Sequence, residues 1–211
     1  MYNIRYLENN LLLHLNRRNL FYVVNILGLL VMVAIIFMGG PLLHETIQMG
    51  LMTLYNCPYE FRHYFEWDLG LNASVTPLCS LSRLQDIALY SVGILFALGL
   101  AFSFFLLGWV FIHRGKLHFS NLCLYLGIGF SLNPILYFFA DTGNLINLLR
   151  VLGLSRYAYA LPLIGSVFFG LEVAYSYVVV RHYINEYKAI AGKISSLRGF
   201  ISDVNGVESR H

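Results

Sequence analysis

The sequence predicts an all-α membrane protein, a four-transmembrane-helix bundle with one sizeable external loop. Three observations lead there. Charged residues make up 12% of the 211, against 58% hydrophobic and 16% aromatic, where a soluble domain carries roughly 25% charge. Four long stretches, 19–44, 87–113, 117–140 and 157–180, hold one charged residue between them, Glu172. Lysine and arginine gather in the three segments that a count of four helices places on one side.

The elements follow in order. Residues 1–19 are a basic N-terminal segment with Arg5, Arg17 and Arg18. The first apolar run reads as a helix over 20–40, ending at Gly39, Gly40 and Pro41. It has full membrane length and no small-residue cleavage site, so it is read as a retained helix. Residues 41–86 form external loop 1. The second helix is expected over 87–112, the third over 119–140 and the fourth over 157–181. A turn at 113–118 joins helices 2 and 3 as an antiparallel pair. Residues 141–156 are the second external loop, whose stretch 144–152 suits an amphipathic turn on the membrane surface. A tail, 182–211, is expected to stay helical over 183–194.

Each run meets the length of about 20 apolar residues needed to cross hydrocarbon. Helices are the expected form because unpaired backbone groups are too costly in lipid. The runs lack the alternation of a membrane β-barrel. Arg114 and Lys116 in the turn, and Arg181, Lys188, Lys193, Arg198 and Arg210 in the tail, join the N-terminal arginines on one side. The opposite loops carry Arg62, Arg83, Arg150 and Arg156, with Glu45, Glu60, Glu66 and Asp68 among them. Both termini are therefore expected in the cytoplasm, and the plasma membrane is the expected location.

Loop 1 is the only extramembrane part large enough to fold. It holds Cys57, Cys79 and the sequon Asn72-Ala73-Ser74. In an oxidising compartment the two cysteines pair, which would stabilise the ordered loop by roughly 3 kcal/mol. Asn72 is then a glycosylation candidate. Tyr59, Phe61, Tyr64, Phe65 and Trp67 offer an interaction surface, a small core for the loop itself, or an aromatic belt at the interface. The third cysteine, Cys123, falls inside helix 3 as a packing residue.

Gly50 and Leu51, then Leu54, Tyr55, Asn56 and Cys57, with Cys79 and Arg83 following, resemble the first-loop signature of the claudin and peripheral-myelin-protein superfamily. The chain differs from it in having Tyr55 where that group has tryptophan and Trp67 between the cysteines. The resemblance implies a small β-containing loop above the bundle, stapled by the disulfide, with strands at 46–55 and 75–78.

Inside the membrane, Glu172 lies about nine residues before Arg181. A carboxylate there must face the bundle, pair or stay protonated. Asn25 and Asn133 are further polar points, and Pro134 is a place for helix 3 to kink. Glu172 is expected to hydrogen-bond Asn25, Asn133 or a tyrosine, or else to line an ion or proton path. Gly93 with Ala97, Gly99 with Ser103, and Ser166 with Gly170 are small-residue pairs that suit close helix packing, within the bundle or against a partner.

Enzyme chemistry finds no support. The histidines, His14, His44, His63, His113, His118, His182 and His211, show no metal-ligand spacing. His113 and His118, beside Arg114 and Lys116, are expected to meet lipid headgroups. No Cys-x-x-Cys pair, Gly-x-Ser-x-Gly elbow or phosphate-cradling loop occurs. No catalytic residue, metal or cofactor is expected, and no basic block argues for nucleic acid. The expected partners are the lipid bilayer and another integral membrane protein or a second copy. The expected role is non-catalytic association, as an auxiliary subunit of a channel or receptor complex or as a claudin-like cell-contact component. The alternatives are a small channel or transporter using Glu172, and an inner-membrane component of a bacterial secretion or conjugation complex.

Overall fold

A computed structural model describes residues 4–66, 70–140 and 143–208. The chain is mostly helical, with one small sheet and one disulfide. Four of its helices are long and apolar enough to cross a membrane.

Helix α1 spans Ile4–Ala34, a five-residue π turn spans Ile35–Gly39, and α2 spans Gly40–Leu54. The first helix therefore does not end at Gly39, Gly40 and Pro41. In a regular α-helix Pro41 would lose a hydrogen bond and collide with a carbonyl one turn back. The wider turn absorbs the misfit: the Gly40 N–H reaches back to the Ile35 carbonyl. Gly40 also lets this backbone approach a neighbour, since a Cβ there would sit 3.6 Å from the Asn133 amide nitrogen.

The expected strand at 46–55 is thus corrected to helix. Glu45, Gln48 and Met52 are buried at helical spacing on the face that meets the next long helix. The sheet lies further on, with β1 at Tyr59–Glu66 and β2 at Gly70–Pro77. They pair antiparallel from Tyr59 opposite Pro77 to Glu66 opposite Gly70. The Cys57–Cys79 disulfide closes the base of this hairpin, with Cα atoms 5.6 Å apart.

Helix α3, Arg83–His113, starts on a reciprocal cap. The Gln85 N–H donates to Ser82 Oγ at 3.4 Å, and the Ser82 N–H donates to Gln85 Oε1 at 2.9 Å. Helix α4, Leu117–Leu136, is the central rod and packs on α1 and α3. Pro134 lies in its last turn and cannot donate to the carbonyl four residues back, so any bend it causes displaces only the helix end. Helix α5, Asn144–Leu152, buries its apolar face against the bundle, with Leu145 packed between Ile94 and Leu161. Arg83 Nε donates to the Val151 carbonyl at 3.2 Å, so the arginine serves the exposed carbonyls at the end of α5.

A short 3-10 segment, Ser155–Ala160, leads into α6, Leu161–Glu208. Its 48 residues extend about 72 Å. The helix runs past 194, and as far as Ile194 it has a partner. Tyr183, Ile190 and Ile194 bury with Phe21, and Leu11, Leu15 and Tyr187 pack against them. Here α1 and α6 form an antiparallel two-helix stalk, at the opposite end of the bundle from the hairpin.

Candidate functional site

The sequence scatters polar residues through apolar helices, and the fold gathers them into three groups. The first joins the bundle to the stalk. Asn25 Oδ1 accepts from Asn121 Nδ2 at 3.1 Å and from the Tyr125 hydroxyl at 2.9 Å. Asn25 Nδ2 donates to the Phe21 carbonyl at 2.7 Å and to the Tyr183 hydroxyl at 3.3 Å. One amide therefore ties α1 to α4 and α6. The rods can approach because Gly28 lies under the Tyr125 ring, where any Cβ would overlap ring atoms. A cavity of about 460 Å³ opens beside this group, lined by Asn25, Asn121, Tyr125 and Tyr187 among others.

His118 belongs to this group. Its Nδ1 lies 3.4 Å from the Tyr183 hydroxyl, and its ring meets Phe21 edge-on at 4.7 Å. The headgroup-facing role expected for His118 is corrected: a half-buried ring wedged between aromatic neighbours points into the protein. His113 is exposed and meets Trp109 edge-on.

The second group sits under the hairpin. Gln48 Nε2 donates to the Leu89 carbonyl at 3.0 Å and lies 3.3 Å from His44 Nε2. Asn144 Nδ2 also bonds His44 Nε2. A ring nitrogen approached by two amide donors acts as an acceptor, which leaves the proton on Nδ1. The ring is pressed onto Gly93, and a Cβ there would overlap it. Glu45 is buried beside it and accepts from the Val75 backbone N–H, fastening β2 to α2.

The hairpin itself divides the aromatic run. Tyr59 packs with Val75 against Met52, Cys57 and Leu89, so it belongs to the loop's own core. Phe61 is half-buried. Tyr64 and Phe65 are paired through their backbones with Asn72 and Leu71. Trp67 lies outside the described residues. On the outer face Arg62 Nε donates to Glu60 Oε1 at 2.9 Å. That bond and charge hold the Arg62 guanidinium above its ordinary pKa. The pair is exposed and screened by salt, so it contributes little to stability.

The third group is Glu172. It is buried in α6 and faces the Ser131 hydroxyl of α4. The expected bonds to Asn25, Asn133 or a tyrosine are corrected. Asn25 is committed at the stalk end, Asn133 lies against Gly40, and the nearby Tyr175 hydroxyl donates to the Phe105 carbonyl at 2.6 Å. Ser131 Oγ donates to the Ile128 carbonyl at 3.2 Å. Having one hydrogen, it cannot serve both that carbonyl and Glu172. Glu172 Oε2 is left without a hydrogen bond.

The small-residue pairs separate too. Gly93 and Ala97 are buried against α2 and the core. Gly99 and Ser103 are exposed on α3, as are Ser166 and Gly170 on α6. A Cβ at Gly99 or Gly170 would meet nothing within 4 Å. Cys123 carries a buried free thiol, and its Cβ is 3.3 Å from where a Cβ on Gly108 would lie, a packing position. Among the described residues no cluster of three or more metal-ligating side chains occurs.

Sequence reading missed Asn121, Gln48 and the paired roles of His44 and Glu45. Asn121 sits one turn from Tyr125 on the same helix face, a signal that was present. His44, Glu45 and Gln48 follow an i, i+1, i+4 pattern that looks polar and exposed until the helix is known to continue. No protein-family model matches this chain, and neither any curated protein nor any solved structure does.

Proposed function

We propose that this chain is a four-transmembrane-helix protein of the plasma membrane, with both termini in the cytoplasm. It acts without catalysis, by lateral association with another integral membrane protein. The observation carrying this reading is the pair of small-residue stripes, Gly99 with Ser103 and Ser166 with Gly170. The chain fills its internal pair, Gly93 and Ala97, and leaves these two facing outward. In lipid, such stripes let a second helix approach to backbone distance. The small hairpin, seated on α2 and α3 and carrying the Asn72 sequon, would contribute a limited external contact. That favours an auxiliary subunit of a channel or receptor complex over a claudin-like cell-contact component.

The rival reading is a small channel or transporter built on Glu172. It needs a polar route along the bundle. Ser131 and Asn121 are ten residues apart on α4, about 15 Å. Leu124 and Val179 lie buried in that interval. The association reading is tested by purification in mild detergent with identification of co-purifying membrane proteins. Gly99→Leu and Gly170→Leu are expected to strip a partner or second copy while leaving the disulfide intact. A lone monodisperse monomer for the unaltered chain would sink the reading. Loss of ion flux in Glu172→Gln with assembly intact would favour the rival.

A further inference from the structure

Beside Glu172 the bundle is incompletely filled. Helices α3 and α6 are bridged by Tyr175, and a cavity of about 390 Å³ lies in the gap with α4 at its back. Leu98, Ala101, Phe102, Phe105 and Ile135 supply much of its wall. Glu172 is 8% exposed, and its Oε2 takes no hydrogen bond. The two hydroxyl side chains that line the cavity with it, Tyr175 and Ser131, donate to the Phe105 and Ile128 carbonyls. Among the described residues the only ion pair is Arg62 with Glu60, so Glu172 has no internal cation. Phe102 and Leu171, also in its lining, are 68% and 63% exposed, so the cavity is bounded in part by side chains on the outer face of the bundle.

We propose that this cavity binds a membrane-dissolved amphiphile bearing one cationic nitrogen, with the nitrogen on the Glu172 carboxylate and the apolar body along Leu98, Phe102 and Phe105. A buried carboxylate is costly unless a cation or a set of donors meets it. A cationic N–H supplies both at once, as a charge-assisted hydrogen bond. Apart from the Ser131 and Tyr175 hydroxyls, whose hydrogens go to backbone carbonyls, the rest of the wall is apolar and rewards an apolar body. A bare metal cation fits poorly, because hard cations take about six or more oxygen ligands and this wall offers one carboxyl group. The volume falls within the range of roughly 300–1,000 Å³ typical of small-molecule sites. The inference rests on the membrane placement in the proposed function and not on lateral association. An association-deficient Gly99→Leu, Gly170→Leu chain should still bind.

The test uses the full chain in lipid nanodiscs. The probe is a photoactivatable long-chain primary amine, beside its chain-matched alcohol and carboxylic acid. Saturable amine labelling of α3 and α6 peptides is expected. Glu172→Gln should lower it at least about tenfold, the loss of one charge-assisted contact. Ala101→Phe, which fills the cavity and keeps the carboxylate, should lower it as much, and it decides alone if Glu172→Gln does not fold. An intact Cys57–Cys79 bond and unchanged elution serve as fold controls. Amine labelling that survives both folded variants, or survives Ala101→Phe when that variant alone folds, would overturn the proposal. So would an alcohol that labels as well as the amine.

Discussion

Asn25, half-buried, and Glu172, buried, are both polar groups set in apolar helices, and the fold treats them in opposite ways. Asn25 uses its carbonyl oxygen twice and its amide nitrogen twice, drawing α1, α4 and α6 together. Glu172 has an oxygen that nothing meets, beside a space that nothing fills. The first is a fastener, since removing it strands the partners on α4 that it holds. The second adds little to folding, because a buried charge without a partner costs stability. What tells the two apart is the state of each lone pair and hydrogen.

The comparison can be broken or sharpened by unfolding measurements in mixed micelles. The largest effect is expected from Gly28→Leu. Its side chain must displace the Tyr125 ring and with it one bond to Asn25, at about 3 kcal/mol, the upper range for overpacking. Asn25→Leu comes next. It strands Asn121 and the Tyr125 hydroxyl, and a loss of about 2 kcal/mol is expected. A loss near the membrane average of about 0.6 kcal/mol would mean that the stranded groups find other partners. Tyr175→Phe removes a single neutral bond to the Phe105 carbonyl and is expected to cost about 1 kcal/mol. Glu172→Gln should change stability least, by about 0.5 kcal/mol or less in either direction. A Glu172→Gln loss matching that of Asn25→Leu would erase the contrast between the two sites.

Much of the architecture could be read from composition. The long uncharged runs mark four rods, and two cysteines within one loop mark the staple between Cys57 and Cys79. The first helix was misjudged because Gly39, Gly40 and Pro41 are local stop signals. The feature that overrides them is tertiary: a π turn packed where Gly40 meets Asn133. The strand was legible and went unread. Residues 59–66 alternate Tyr59, Phe61, His63 and Phe65 with Glu60, Arg62, Tyr64 and Glu66, a period of about two. The stalk was legible in the same way, since 183, 187, 190 and 194 follow heptad spacing. The state of Glu172 could not be read, because it depends on where Ser131 and Tyr175 send their hydrogens.

The wide turn at Ile35–Gly39 acts as a phase shifter. One residue more than a regular turn rotates everything downstream by roughly 100° about the helix axis. That rotation aims His44 and Gln48 at Gly93 and Leu89, where the hairpin's seat is built. A chain shortened by one residue there would keep its composition, its apolar length and both cysteines. It would nonetheless present the wrong side of α2 to its neighbour, leaving the hairpin without a floor.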